Sequence, residues 1–309
     1  MPNYNGVWSL STQYQNAGAW PLPPLVGDLA LFTKGTNSQT GIVYVTITTT
    51  GSEADWGDLP SPSIYTAGMS SLTRGVYAAG KSSGNANVTT MESVEMRSLG
   101  VSADFGEATT AAAKGDSGCS NSTRGIFADI STMSYITIAS AGNAIDFGDY
   151  SDPRRLAGGM CSSTRAVWGG GMDASTNARL NVIDYVTIAT TGNATDFGDL
   201  TQVQSDLAGL SSSTRGAVAG GASSGYTNVI QYITIASTGN ASDFGDLSQS
   251  KQYNSGTGNA TRGIIAIGEA ATNALQYITY ASTGNSTNFG SLDNGLGRGA
   301  VSNAHGGLA

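Results

Sequence analysis

Apolar and β-branched residues alternate with polar ones along most of this chain, and these short runs return at a near-constant interval. The stretch from Tyr185 to Ala189, Tyr-Val-Thr-Ile-Ala, is one such run, and its two-residue period predicts a strand. Gly192 and Asn193 follow, residue types that tolerate positive φ and mark a reversal. The chain then passes through Asp196, Phe197, Gly198 and Asp199 as a second short strand. A small-residue strand at 208–210, a Ser-Thr-Arg turn ending at Arg215, and an apolar strand running into Gly220 and Gly221 complete a unit of four strands.

The unit recurs around an aromatic followed by glycine, at Trp56, Phe105, Phe147, Phe197, Phe244 and Phe289, with spacings of 49, 42, 50, 47 and 45 residues. A period of this size filled with strand-like text predicts propeller blades. Tyr44, Tyr135, Tyr185, Tyr232 and Tyr277 open the Tyr-x-Thr-Ile run; only the second unit departs, with Ser93 at that position and Glu95 and Arg97 inside the strand. Segments 66–69, 111–113, 156–159, 208–210, 256–258 and 299–301 are rich in small residues, which predicts the innermost strand, where large side chains would collide. The third position after the turn arginine is large in most units (Tyr77, Phe127, Trp168, Val218, Ile265). It is expected to fill the space between blades, with Trp168 a core residue rather than a ligand platform.

The repeat starts at Gly27 without its small-residue strand, and the missing strand stands at the other end, from Arg298 onward. Six four-stranded blades therefore close only if the C-terminal strand joins the three N-terminal ones, which removes the exposed edges of a linear stack. The domain reading is an all-β, six-bladed propeller over 27–309, preceded by a non-repeat arm at 1–26. That arm carries Trp8, Trp20, Pro21, Pro23 and Pro24, and is a candidate anchoring segment or a cover for the ring's own surface.

Composition narrows the partners. A net charge of −8 argues against a phosphate-binding surface for nucleic acid or an acidic membrane. No apolar run approaches the ~20 residues that span a bilayer, and no basic-then-apolar secretory leader opens the chain. The 43 glycines suit many tight turns.

Candidate chemistry is sparse, and no catalytic, cofactor or metal residues are expected. His305 is the only histidine, which excludes a multi-histidine metal site within one chain and argues against a His-based triad. Cys119 and Cys161 fall on inner strands of adjacent units, where a disulfide is conceivable and two reduced small core residues are expected. Acids recur as Asp55 and Asp58, Asp104 and Glu107, Asp146 and Asp149, Asp196 and Asp199, and Asp243 and Asp246. Each set is followed by a turn arginine (Arg74, Arg124, Arg165, Arg215, Arg262), whereas the sixth unit has Asn288, Ser291 and, in the arginine's aligned place, His305. Loss of both partners together predicts a charge-assisted bond from each acidic turn to the next unit's arginine. A calcium site is the competing account, but Asp-Phe-Gly-Asp lacks the alternating carboxylates of a calcium loop. The acids that break the repeat, Glu53, Glu92, Glu95 and Glu269, are scattered, so a glycosidase pair is not expected.

The order of arginine turn, apolar strand ending in Gly-Gly, tyrosine-bearing strand and late aromatic resembles the kelch repeat, with Phe replacing the usual Trp in five units and Trp56 retaining it. The wording Tyr-x-Thr-Ile-Ala-Ser-Thr-Gly-Asn with Ser-Thr-Arg-Gly is also similar to repeat proteins of tailed, especially marine, bacteriophages. That second resemblance implies a virion component: a tail fibre, spike or capsid decoration, located in the extracellular particle. Its arm would contact other virion proteins, and its variable loops would bind a host-surface glycan or protein. The connections at 81–90 and 172–180 are long and 129–133 is short; their Ser, Asn, Gly and Tyr226 are adaptable contacts. A cellular or secreted glycan-binding propeller is the alternative, and an enzyme the third reading. Neither resemblance supplies a catalytic residue.

Overall fold

The computed structural model describes residues 27–35, 39–112, 118–269, 273–293 and 298–308; the arm at 1–26 lies outside them. Six antiparallel sheets form the blades of a β-propeller. Blade 4 is representative: Gly158–Cys161 is innermost, followed outward by Arg165–Gly169, Val182–Thr187 and Thr195–Asp199. Blades 5 and 6 repeat this order from Ala208–Ser211 to Ser242–Asp246 and from Ser255–Gly258 to Thr287–Ser291. The ring closes as the sequence requires. The C-terminal strand Ala300–Ser302 pairs with Leu29–Thr33, setting Ala30 against Ser302 and Phe32 against Ala300.

One inner strand differs from expectation. Residues 111–112 continue the outer strand of blade 2, Ala103–Ala112, because the hairpin Arg74–Ser82 and Asn87–Glu95 is long enough to pair Val88 with Ala112. The inner strand of blade 3 is instead Cys119–Ser120.

The aromatic–glycine signature makes the seam between blades. In each of the six blades the register between third and outer strands shifts at the aromatic, a bulge that turns the ring inward and leaves Phe197 and its equivalents buried. The glycine beside it receives the next blade's turn: Gly192 N–H bonds Phe147 O at 2.8 Å, and the side-chain oxygen of Asn193 accepts from Asp149 N–H at 3.0 Å. A Cβ on Gly148 would sit 2.3 Å from Gly192 O, so no other residue fits. The same contact joins blade 6 to blade 1, where Gly51 N–H bonds Phe289 O at 2.9 Å.

The turn arginines make a second tie, and here the acid-to-arginine expectation fails. Arg165 Nη1 donates to Ile235 O of the next blade at 2.9 Å, and Arg124 Nη1 to Ile188 O at 2.8 Å. Each guanidinium also lies over the tyrosine of its own blade, 4.7 Å for Arg165 on Tyr185 and 4.3 Å for Arg124 on Tyr135. That tyrosine meets the bulged aromatic edge-on, as Tyr185 does Phe197 at 5.8 Å. A main-chain carbonyl and a π face thus take the place assigned to carboxylates; the repeated aspartates Asp196 and Asp199 point to solvent. Replacing both by Asn should shift stability by less than about 0.5 kcal/mol. Arg165→Ala should cost about 1–2 kcal/mol through the lost bond and ring contact. Urea unfolding of the two variants side by side checks this; equal costs would restore the carboxylate pairing.

The core lies between blades. Met160, Val167, Ile183 and Phe197 of blade 4 pack on Val218 and Ile233 of blade 5, and Trp168 is buried between blades 3 and 4. Blade 4 also buries an ion pair: Arg154 Nη1 stands 3.0 Å from Asp184 Oδ2, both side chains fully enclosed. Ser151 donates to both carboxylate oxygens at 2.9 and 2.7 Å, and the guanidinium lies 4.5 Å over Tyr150.

Candidate binding face

Antiparallel strands sort the connections onto two faces. One, the turn face, carries every inner-to-second and third-to-outer turn; the other, the loop face, carries the second-to-third loops and the links between blades. On the turn face the chain repeats itself for a physical reason. Before each turn arginine a Ser or Asn side chain accepts its backbone N–H: Ser162 from Arg165 at 3.1 Å, Ser212 from Arg215 at 3.0 Å, Asn121 from Arg124 at 2.8 Å and Asn259 from Arg262 at 2.7 Å.

The axis on this side is stoppered by the C-terminal residues. His305 does not take an arginine's place but turns inward, buried. Its Nε2 stands 2.9 Å from Ser70 O and 3.2 Å from Ser120 Oγ, and its Nδ1 accepts Gly307 N–H at 3.1 Å. A carbonyl only accepts, so these partners assign the proton to Nε2. Gly306 and Gly307 follow because a Cβ on either would strike Ser212 O or Ser120 O at 2.2 and 1.8 Å. Cys119 and Cys161 are free buried thiols on adjacent inner strands, with Cys161 Sγ 3.7 Å from His305 Nδ1 and Cys119 Sγ 3.4 Å from Met160 O.

The loop face is irregular. In blade 2 the hairpin lengthens into a ribbon whose turn falls at 83–86. In blade 4, Met172–Asp173 folds back on Arg154–Arg155, and Asp173 Oδ1 gathers the backbone N–H groups of Ser175 and Thr176 at 3.0 and 2.6 Å. In blade 5 the loop raises an exposed Tyr226, whose hydroxyl accepts from Gln252 Nε2 at 3.2 Å. Beside it Lys251 and Glu269 form an ion pair of 2.8 Å. Hydrogen bonds from Lys251 and then Tyr226 hold the Glu269 carboxyl below its ordinary range.

Around the axis on this face stands a ring that sequence reading did not find. Tyr65, Leu156, Asp206 and Tyr253, each in the link just before an inner strand, adopt left-handed backbone with φ of 58, 64, 59 and 58°. For residues other than glycine this costs of order 1 kcal/mol each. Tyr65 and Tyr253 meet edge-on at 5.6 Å across the span of blade 1, next to the buried Arg298. Burial, then the neighbouring tyrosine, pushes the Tyr65 phenol well up, and burial followed by Asp206 raises that of Tyr253, so both keep their protons at neutral pH. Burial lowers the Arg298 guanidinium to about 10.

The four repeat-breaking acids are not brought together. Glu53 accepts Asp293 N–H, Glu92 the Ser102 hydroxyl, Glu95 pairs with Arg74 at 3.5 Å, and Glu269 with Lys251. Among the described residues no three His, Cys, Asp or Glu side chains stand close enough to hold a metal ion. No protein-family model matches the chain, and no curated protein matches it.

Proposed function

We propose that this kelch-like propeller is a non-enzymatic structural and adhesion component of a bacteriophage particle, holding its loop face toward a host-surface glycan or protein. The observation that carries the reading is sidedness. The chain enters the ring at Gly27 on the turn face, where Arg97 Nη1 and Asn303 Nδ2 reach its carbonyl at 3.3 and 3.4 Å. The irregular loops and the tyrosine-rich axial mouth are on the opposite side, so an arm attached to other virion proteins would leave that mouth outward. Tyrosine supplies broad, rigid contact area at small entropic cost, and the Lys251–Glu269 pair adds polar contacts of both signs. The repeat-breaking acids Glu53, Glu92, Glu95 and Glu269 are each engaged by a different partner within the chain, which favours recognition over glycoside cleavage.

A panel of bacterial surface polysaccharides, offered to the immobilised full chain, tests the reading. Saturable binding is expected, weakened at least tenfold by Tyr226→Ala with Tyr253→Ala and unchanged by Ser163→Ala on the turn face. Cleavage of any glycoside, or binding indifferent to the tyrosines, would sink it. A density map of the particle should show the loop face outermost.

A further inference from the structure

In blade 2 the turn face departs from its own repetition. Three exposed turn positions that are polar or small elsewhere are all large and apolar in blade 2. Leu72 stands where the other arginine turns have Ser122, Ser163, Ser213 and Ala260. Leu99 replaces Ala141, Thr191, Thr238, Thr283 or Thr50, and Val101 replaces Asn143, Asn193, Asn240, Asn285 or Ser52. They are 55, 39 and 72% exposed, and they make up three of the six exposed large hydrophobic residues among those described. The turns that carry them are neighbours, since Met96 N–H bonds Thr73 O at 2.7 Å. Val101 also forgoes the bond its asparagine counterparts make to the preceding blade, so a seam contact has been exchanged for exposed apolar surface.

The position of this patch names its occupant. The chain joins the ring at Gly27, whose carbonyl is held by Arg97, two residues before Leu99. Leading into Gly27 are residues 20–26, Trp-Pro-Leu-Pro-Pro-Leu-Val, and no Asp, Glu, Lys or Arg occurs anywhere in 1–26. Seven extended residues span about 23–25 Å, enough to cross both turns. Prolines already restrict the backbone, so ordering this segment sacrifices little conformational freedom. We propose that residues 20–26 dock on the blade 2 patch of Leu72, Leu99 and Val101, with Trp20 as the anchor, fixing the direction in which the rest of the arm leaves the turn face. The inference does not depend on the virion reading.

The test uses the full chain carrying Trp8→Phe, in which Trp20 is the one tryptophan besides the buried Trp56 and Trp168. Subtracting the signal of a Trp8→Phe, Trp20→Phe chain isolates Trp20. Acrylamide quenching of Trp20 is expected to rise at least threefold on introducing Leu72→Ser, Leu99→Thr and Val101→Asn, the residues other blades carry there. Val101→Asn alone should give a smaller rise, which keeps the test usable if the triple variant unfolds. Quenching that is high in the starting protein and indifferent to these changes would overturn the proposal. So would a dimer that the substitutions dissolve while Trp20 stays exposed throughout, because the occupant would then be a second copy.

Discussion

Asp184→Ala is expected to destabilise the ring by about 3–5 kcal/mol, because it strands the Arg154 guanidinium in the interior without a counter-charge. Total stabilities of domains run to about 5–15 kcal/mol, so this single change would remove a large share. The Ser151 hydroxyl would lose its acceptor as well. Reversing the logic gives the stronger check. Removing both charges at once, with Arg154→Met and Asp184→Leu, should recover most of the loss, since an apolar pair of similar volume has no desolvation penalty to offset. Denaturant titration of the two single variants and the double variant yields the coupling energy; a double variant as unstable as the sum of the singles would refute the buried-charge account.

Gly290→Ala is the second. The contact it disturbs joins the last blade to the first: a Cβ there would lie 1.9 Å from Gly51 O and 2.4 Å from Gly51 C, both backbone atoms of a turn that cannot step aside without giving up its bond to Phe289 O. The cost should reach about 3 kcal/mol or more, the range of strongly overpacked sites. Gly51 supplies the control from the other side of the same contact. Nothing lies within 4 Å of a Cβ built on it, so Gly51→Ala should stay within about 0.5 kcal/mol. Thermal melts of the two alanine variants decide the matter, and equal melting temperatures would mean that close approach at the seam is unimportant.

Much of the architecture was legible because the repeat prints it six times. Phe-Gly, Tyr-x-Thr-Ile and Gly-Asn each recur at one structural position, and the absent first strand together with the surplus last one announced the closure found between Ala300–Ser302 and Leu29–Thr33. Partnerships were harder to read than positions. The joint absence of acids and arginine in the sixth unit suggested a bond between them, yet the arginines bind carbonyl groups, which leave no trace in side-chain identity. Residues 111–113 looked like an inner strand by composition, and only the extended hairpin pairing Val88 with Ala112 assigns 111–112 to the outer one. Asp184 was hidden by variety, since the matching places hold Ser134, Gln231 and Gln276, also buried; nothing along the chain says that Arg154, thirty residues earlier, folds back to meet it. The axial ring was concealed for a similar reason: Tyr, Leu and Asp give no hint of left-handed backbone, so Tyr65, Leu156, Asp206 and Tyr253 appeared unrelated.

The pairing of Ala300–Ser302 with Leu29–Thr33 also dictates a timetable during synthesis. A ribosome adding about 5–20 residues per second needs roughly 14–55 s to travel from Leu29 to Ser302. Throughout that interval the first-made strands wait with one flank unmatched while later blades assemble beside them. The nascent ring is thus most vulnerable to misassociation along the unmatched edge of Leu29–Thr33, which stays open until Ala300–Ser302 has been made.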